Sequence, residues 1–92
     1  MNNRITLKKI EEYYTITNKA FNLAKKSIVK NKNKLAEEIF EMVSAYLSDS
    51  NHFKKNKEYV LAYGALNYAH GWLDAGARLK IYRVKDNKLF SV

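Results

Sequence analysis

Residues 67–78 read NYAHGWLDAGAR, and the fold turns on whether that run is helix or loop. Two of the chain's three glycines, its single tryptophan, one of two histidines and one of three aspartates fall inside it. Proline is absent, and the remaining glycine is Gly64. A chain so poor in breakers favours long helices over many short strands. Three glycines inside one helix cost roughly 3 kcal/mol relative to alanine, so something must offset them. Close approach of another backbone is the simplest source.

Placed on a helix at 57–80, the side chains separate by direction. Leu61, Ala62, Ala65, Leu66, Tyr68, Ala69, Trp72, Leu73, Ala75, Gly76, Ala77 and Leu79 span an arc of roughly 200°. That is about twice the stripe of an ordinary surface helix and predicts a central element with several partners. Ala65, Ala69, Trp72 and Gly76 are its close-packing candidates. Tyr63, Asn67, His70, Asp74 and Arg78 line the other side, within about 80°. Val60, Gly64 and Gly71 flank that polar stripe.

The stripe is a candidate binding or interface surface, with an exposed face of ordinary side-chain pairs as the plainer alternative. His70 and Asp74 stand four apart, so a carboxylate can orient an imidazole and Arg78 can hold the carboxylate. Hydrolysis centred on His70 and Asp74 would also need a nucleophile or positioning groups, for which Tyr63 and Asn67 are the nearest candidates. A metal there would lack a third protein ligand, because the other histidine, His52, belongs to the far end of the bundle. The chain has no cysteine, no phosphate-loop glycine pattern and no nucleophile elbow. No catalytic residue, cofactor or metal is assigned.

Working outward, Leu7, Ile10, Tyr14, Thr17, Phe21, Ala24 and Ile28 alternate spacings of three and four and predict a helix at 5–30. Leu35, Ile39, Met42, Tyr46, Ser50 and Phe53 do the same for a second helix at 33–55. Asn33 is its expected N-cap, followed within about a turn by Glu37 and Glu38, and Asn56 the left-handed residue after it. The SDSN run at 48–51 is loop-like in composition, and a break there is the alternative to one continuous helix. Short connections between long helices make neighbours antiparallel. The expected fold is all-α: an up-down-up bundle of three helices forming one domain over 1–92. Residues 81–92 form either a hairpin or an extended tail that lays Leu89, Phe90 and Val92 on the bundle.

The formal charge is +8, with 14 lysines and three arginines beside ten asparagines. That balance is what an AT-rich genome would produce, and lysine enrichment also accompanies hot environments. The bundle topology nevertheless gathers one basic pole, with Lys25, Lys26, Lys30, Lys80 and Arg83 as possible phosphate contacts. No apolar run is long enough to cross a bilayer and the N-terminus lacks a signal-peptide core, so the expected location is the cytoplasm, without a membrane partner.

Tyr59 to Leu79, with NYAHGWLDAGARL at its centre, and the closing LFSV resemble a small, mainly archaeal family catalogued as domain of unknown function number three hundred and fifty-seven. Weaker similarity covers most of the rest, including AYLSDSNHF in the second helix. Where relatives tend to carry glycine between the second and third helices, this chain has Asn56. The resemblance implies a compact helical bundle and brings no activity, cofactor or catalytic residue. The chain is also broadly similar to helical nucleases that use arginine, a gap of four to six residues, then histidine. Ahead of His70 those gaps require arginine at 63–65, where the residues are Tyr63, Gly64 and Ala65, so that mechanism is disfavoured.

The first functional reading is a non-enzymatic helical interaction module, self-associating as a homodimer or meeting another protein. The second is a nucleic-acid accessory protein using the basic pole, and a hydrolase stands third.

Overall fold

A computed structural model describes residues 4–90. Three helices follow one another: α1 Leu7–Lys25, α2 Asn33–Lys55 and α3 Tyr59–Arg78. They form the expected up-down-up bundle, about 44 × 24 × 16 Å. Helix α3 packs against both others and most extensively against α2, whereas α1 and α2 barely meet. The alanine-rich composition of α3 explains that centrality. Ala62 and Ala69 have no exposed surface and Ala65 and Ala77 almost none, so neighbouring helices approach closely while Leu66 and Leu73, both fully buried, fill the spaces between.

Helix α1 is shorter than the 5–30 expected. At its start Thr6 is the N-cap, its hydroxyl accepting from the Lys9 N–H at 3.2 Å. It stops at Lys25 because residues 27–29 are drawn into pairing with the tail. The Val29 N–H donates to the Ile81 carbonyl at 2.9 Å, and the Arg83 N–H to the Ser27 carbonyl at 2.8 Å. Ile28 therefore sits in an isolated antiparallel bridge with Tyr82, not on a helical stripe. Local periodicity pointed to another helical turn, and a contact more than fifty residues away took its backbone groups instead.

Helix α2 has the expected bounds and runs unbroken through 48–51. Ser50 is buried, and its hydroxyl donates to the Ala62 carbonyl at 3.0 Å. That bond lets a polar residue sit in the α2–α3 seam where the stripe requires an inward position. The start differs in detail: Lys32 occupies the N-cap position without a side-chain cap, Asn33 is already helical, and Glu37 and Glu38 lie beyond the first turn.

Helices α2 and α3 both end in Schellman motifs, which shortens α3 from 57–80 to Tyr59–Arg78. After α2, the Glu58 N–H returns to the Phe53 carbonyl and the Lys57 N–H to Lys54. After α3, the Ile81 N–H returns to Gly76 and the Lys80 N–H to Ala77. The left-handed residues are Lys57 and Lys80, each at φ 60°. Asn56, expected in that role, keeps φ −89°. The register of the two return bonds selects the residue after the cap, whatever its type.

The tail is extended, with no hairpin among the described residues. Ile81, Tyr82 and Phe90 are buried, and an Asp86 carboxylate accepting from the Lys88 and Leu89 N–H groups turns the chain toward the bundle. Val92 lies outside the described residues.

Tyr82 anchors this tail. Its ring stacks on Phe40 at 5.8 Å, and its hydroxyl donates to the Leu73 carbonyl inside α3. Burial, reinforced by the nearby Asp74 charge, raises its pKa well above that of an exposed tyrosine. The folded state therefore holds the phenolic proton more tightly than the unfolded chain. The stabilisation is complete below the ordinary tyrosine pKa of about 10 and is lost as pH rises above it. Unfolding followed by far-ultraviolet dichroism should move to lower temperature above that pH, with Tyr82 the last tyrosine to ionise in difference absorbance. A Tyr82→Phe variant should show a weaker alkaline slope.

Candidate interaction surface

Helix α3 presents three faces with different occupants. The inner face carries Ala62, Ala65, Leu66, Ala69, Leu73, Gly76 and Ala77, all buried. Gly76 is its tightest point. A Cβ there would stand 2.6 Å from Tyr82 Cε1 and still nearer the hydroxyl, so the ring of Tyr82 occupies the space a side chain would take.

The second face is the polar stripe, and the protein's own chain docks on it. The Tyr13 hydroxyl of α1 donates to Asn67 Oδ1 at 2.9 Å, and the Tyr13 ring lies 5.2 Å from that of Tyr63. His70 joins three segments. Its Nε2 is 2.6 Å from the Leu89 carbonyl, which only accepts, so Nε2 carries the proton. In the neutral ring Nδ1 then accepts from the Thr17 hydroxyl at 3.0 Å. Asp74 Oδ1 stands 3.8 Å from His70 Nε2, and its charge, after burial and Tyr63, helps raise the Tyr13 pKa. Arg78 is exposed, at the end of the stripe.

This geometry bears on the chemistry open to His70. Both ring nitrogens are engaged in holding α1 and the tail, so neither is placed to move a substrate proton. The hydrolytic reading therefore gains no support. Among the described residues no three His, Cys, Asp or Glu side chains group as a metal site. Thr17, Tyr13 and the Leu89 carbonyl complete the cluster, and nothing in the spacing around His70 pointed to them. Their one signal was Thr17, a polar residue on the apolar stripe of α1, which marks a buried hydrogen bond.

The third face looks outward. Val60, Leu61, Tyr68, Trp72 and Leu79 are all exposed, Val60 by 72% and Leu79 by 69%. Trp72, expected among the close-packing residues with Ala65, Ala69 and Gly76, is 39% exposed and lies outside the core. The expected arc of roughly 200° therefore divides, and only part of it turns inward. Between the large side chains lie Gly64 and Gly71, where an added Cβ would meet nothing within 4 Å, and Ala75, also exposed. Asn67, Tyr68, Gly71, Trp72 and Ala75 line a shallow, mostly apolar depression, and Tyr68 stacks at 5.2 Å on Tyr46 of α2.

The basic residues are divided. Arg78, Lys80, Arg83 and Lys85 surround one hollow, and Lys26 joins Arg83 and Lys85 around a second. Lys25 turns elsewhere, its ammonium 4.1 Å from the centre of the Phe21 ring. Lys30 is exposed. No helix among the described residues is long and apolar enough to cross a membrane.

Residues 12–82 match the model of a family described as protein of unknown function, DUF357. The comparisons with curated proteins and with solved structures return no match to the chain.

Proposed function

The chain belongs to the DUF357 family, and from that premise we propose that it is a non-enzymatic helical interaction module that self-associates through the outward face of α3. The observation that carries this reading is the chemistry of that face. A protein with 14 lysines and a charge of +8 has no lysine between Lys57 and Lys80. Apart from Glu58, Asn67 and Arg78, its exposed residues there are leucine, valine, tyrosine, tryptophan, glycine and alanine. Leaving large apolar groups uncovered is unfavourable by about 25 cal/mol per Å², and contiguous apolar surface on a soluble protein marks an interface.

A second copy suits this face better than an unrelated partner. Leu61, Gly64, Tyr68, Gly71, Ala75 and Leu79 recur at spacings of three and four, so they form one seam. Paired antiparallel, the seam is self-complementary. Leu61 faces the second copy's Leu79, Gly64 faces its Ala75, and Tyr68 lies over its Gly71. A parallel pair would set Tyr68 against Tyr68 and leave gaps at the glycines.

Sedimentation should give a dimer for the wild-type chain. Trp72→Glu and Tyr68→Glu should weaken it by roughly a hundredfold or more, because each dimer would bury two unpaired carboxylates. Their helical dichroism should be retained. Because the chain has no cysteine, orientation can be read directly: Gly64→Cys mixed with Ala75→Cys should form the crossed disulfide in preference to either homodimer. A wild-type chain that stays monomeric at sub-millimolar concentration would remove the reading.

A further inference from the structure

The hollow at the basic end of the bundle lies apart from the seam and has its own chemistry. It measures about 490 Å³ and is lined by Val29, Ala77, Tyr82 and Val84, with Arg78, Lys80, Arg83 and Lys85 around them. Four of the eight lining residues are cations and none is an acid. The walls come from three segments, the first of them far from the other two in the sequence. The turn after α1 gives Val29, the end of α3 gives Ala77 to Lys80, and the tail gives Tyr82 to Lys85. Main-chain hydrogen bonds from Val29 to Ile81 and from Arg83 to Ser27 hold the first and third together, so the hollow is framed by backbone pairing and not by mobile side chains alone.

We propose that this hollow binds a small phosphorylated molecule, its apolar body against Val29, Ala77 and Val84 and its phosphate among Arg78, Lys80, Arg83 and Lys85. The volume is that of a small-molecule site, which typically spans about 300–1,000 Å³. The charge count favours a phosphate over a singly charged group, since four cations answer a dianion and arginine can hold two of its oxygens at once. The carboxyl end of α3 opposes an anion with roughly half a charge, and four full positive charges outweigh it. The apolar lining separates this ligand from bare nucleic-acid backbone. A strand bound by phosphate contacts alone would leave Val29 and Val84 idle, and one bound through its bases calls for exposed aromatic platforms. At the hollow the aromatic residue is Tyr82, whose ring is already buried.

The test is a nuclear magnetic resonance titration of the full chain with phenyl phosphate, phenol, inorganic phosphate and a single-stranded oligonucleotide. Phenyl phosphate should shift the amides of Val29, Lys80, Arg83 and Val84 and bind at least about tenfold more tightly than inorganic phosphate or phenol, since each partner group adds its own increment. Arg83→Gln and Arg78→Gln should each weaken phenyl phosphate several-fold. Lys54→Gln, at the opposite end, should leave it unchanged. Equal binding of phenyl phosphate and inorganic phosphate would overturn the proposal, leaving only a screened basic surface. So would shifts spread equally over Lys54, Lys55 and Lys57. Tighter binding of the oligonucleotide, with shifts reaching Lys26 and Lys30, would replace it with a nucleic-acid surface.

Discussion

Replacing Gly76 by alanine is expected to destabilise the fold by about 3 kcal/mol, although alanine is the better helix former by about 1 kcal/mol. The two effects act at one position and the larger is steric. A Cβ at residue 76 would stand 2.6 Å from Tyr82 Cε1, inside any allowed contact. Tyr82 cannot step aside cheaply, because it is 1% exposed, stacks on Phe40 and donates to the Leu73 carbonyl. Displacing it forfeits a buried hydrogen bond, about 1–3 kcal/mol, and disturbs aromatic packing, where overfilling typically costs 1–3 kcal/mol. The same substitution at Gly64 or Gly71 should do the opposite. Nothing lies within 4 Å of a Cβ at either site, so alanine should stabilise the monomer by up to about 1 kcal/mol. Urea denaturation of the three variants reads the contrast. Equal stabilisation at all three would show that Tyr82 does not press on Gly76. Tyr82→Leu combined with Gly76→Ala should cost less than the sum of the single changes, because the smaller side chain vacates the space.

His70→Ala is expected to cost about 2–4 kcal/mol, the second large effect. The loss is not one hydrogen bond but the stranding of two partners. Thr17 is fully buried and would keep a hydroxyl without its acceptor, while the Leu89 carbonyl would lose the N–H that fixes the tail. Each unsatisfied buried group costs about 1–3 kcal/mol. The signature is local as well as global. Hydrogen exchange should quicken in residues 86–90, where Phe90 depends on the tail being held, and less so in the α2–α3 seam around Ser50. His70→Gln, which keeps a side-chain amide near the Leu89 carbonyl, should recover part of the loss. Unchanged exchange in the tail of the alanine variant would refute a tethering role for His70.

These two residues also show where sequence reading succeeded and where it stopped. The unusual density of glycine, tryptophan, histidine and aspartate in NYAHGWLDAGAR marked α3 as the element on which the fold depends. Its alanine content indicated close neighbours. Gly76 is buried, and the residue that fills the space beside it, Tyr82, comes from the tail, whose path no periodicity specifies. Trp72 went the other way. Hydrophobicity placed it with the packing residues, and the structure leaves it 39% exposed, because periodicity gives a direction around the helix but not which directions have neighbours.

By itself the sequence determined three helices, their order and the central position of α3, and it favoured one continuous α2 over a break at 48–51. All of these follow from local rules: the 3.6-residue period, the absence of proline, and an apolar arc too wide for one partner. Tertiary structure alone decided the remainder. It ended α1 at Lys25 by pairing Ser27 and Val29 with the tail, gave His70 to Thr17 and Leu89, and left one apolar face of α3 uncovered. The physical reason is range. Helix formation is set by neighbours within a turn, whereas the outcome for a buried polar atom, a short terminal turn or an exposed tryptophan depends on groups tens of residues away.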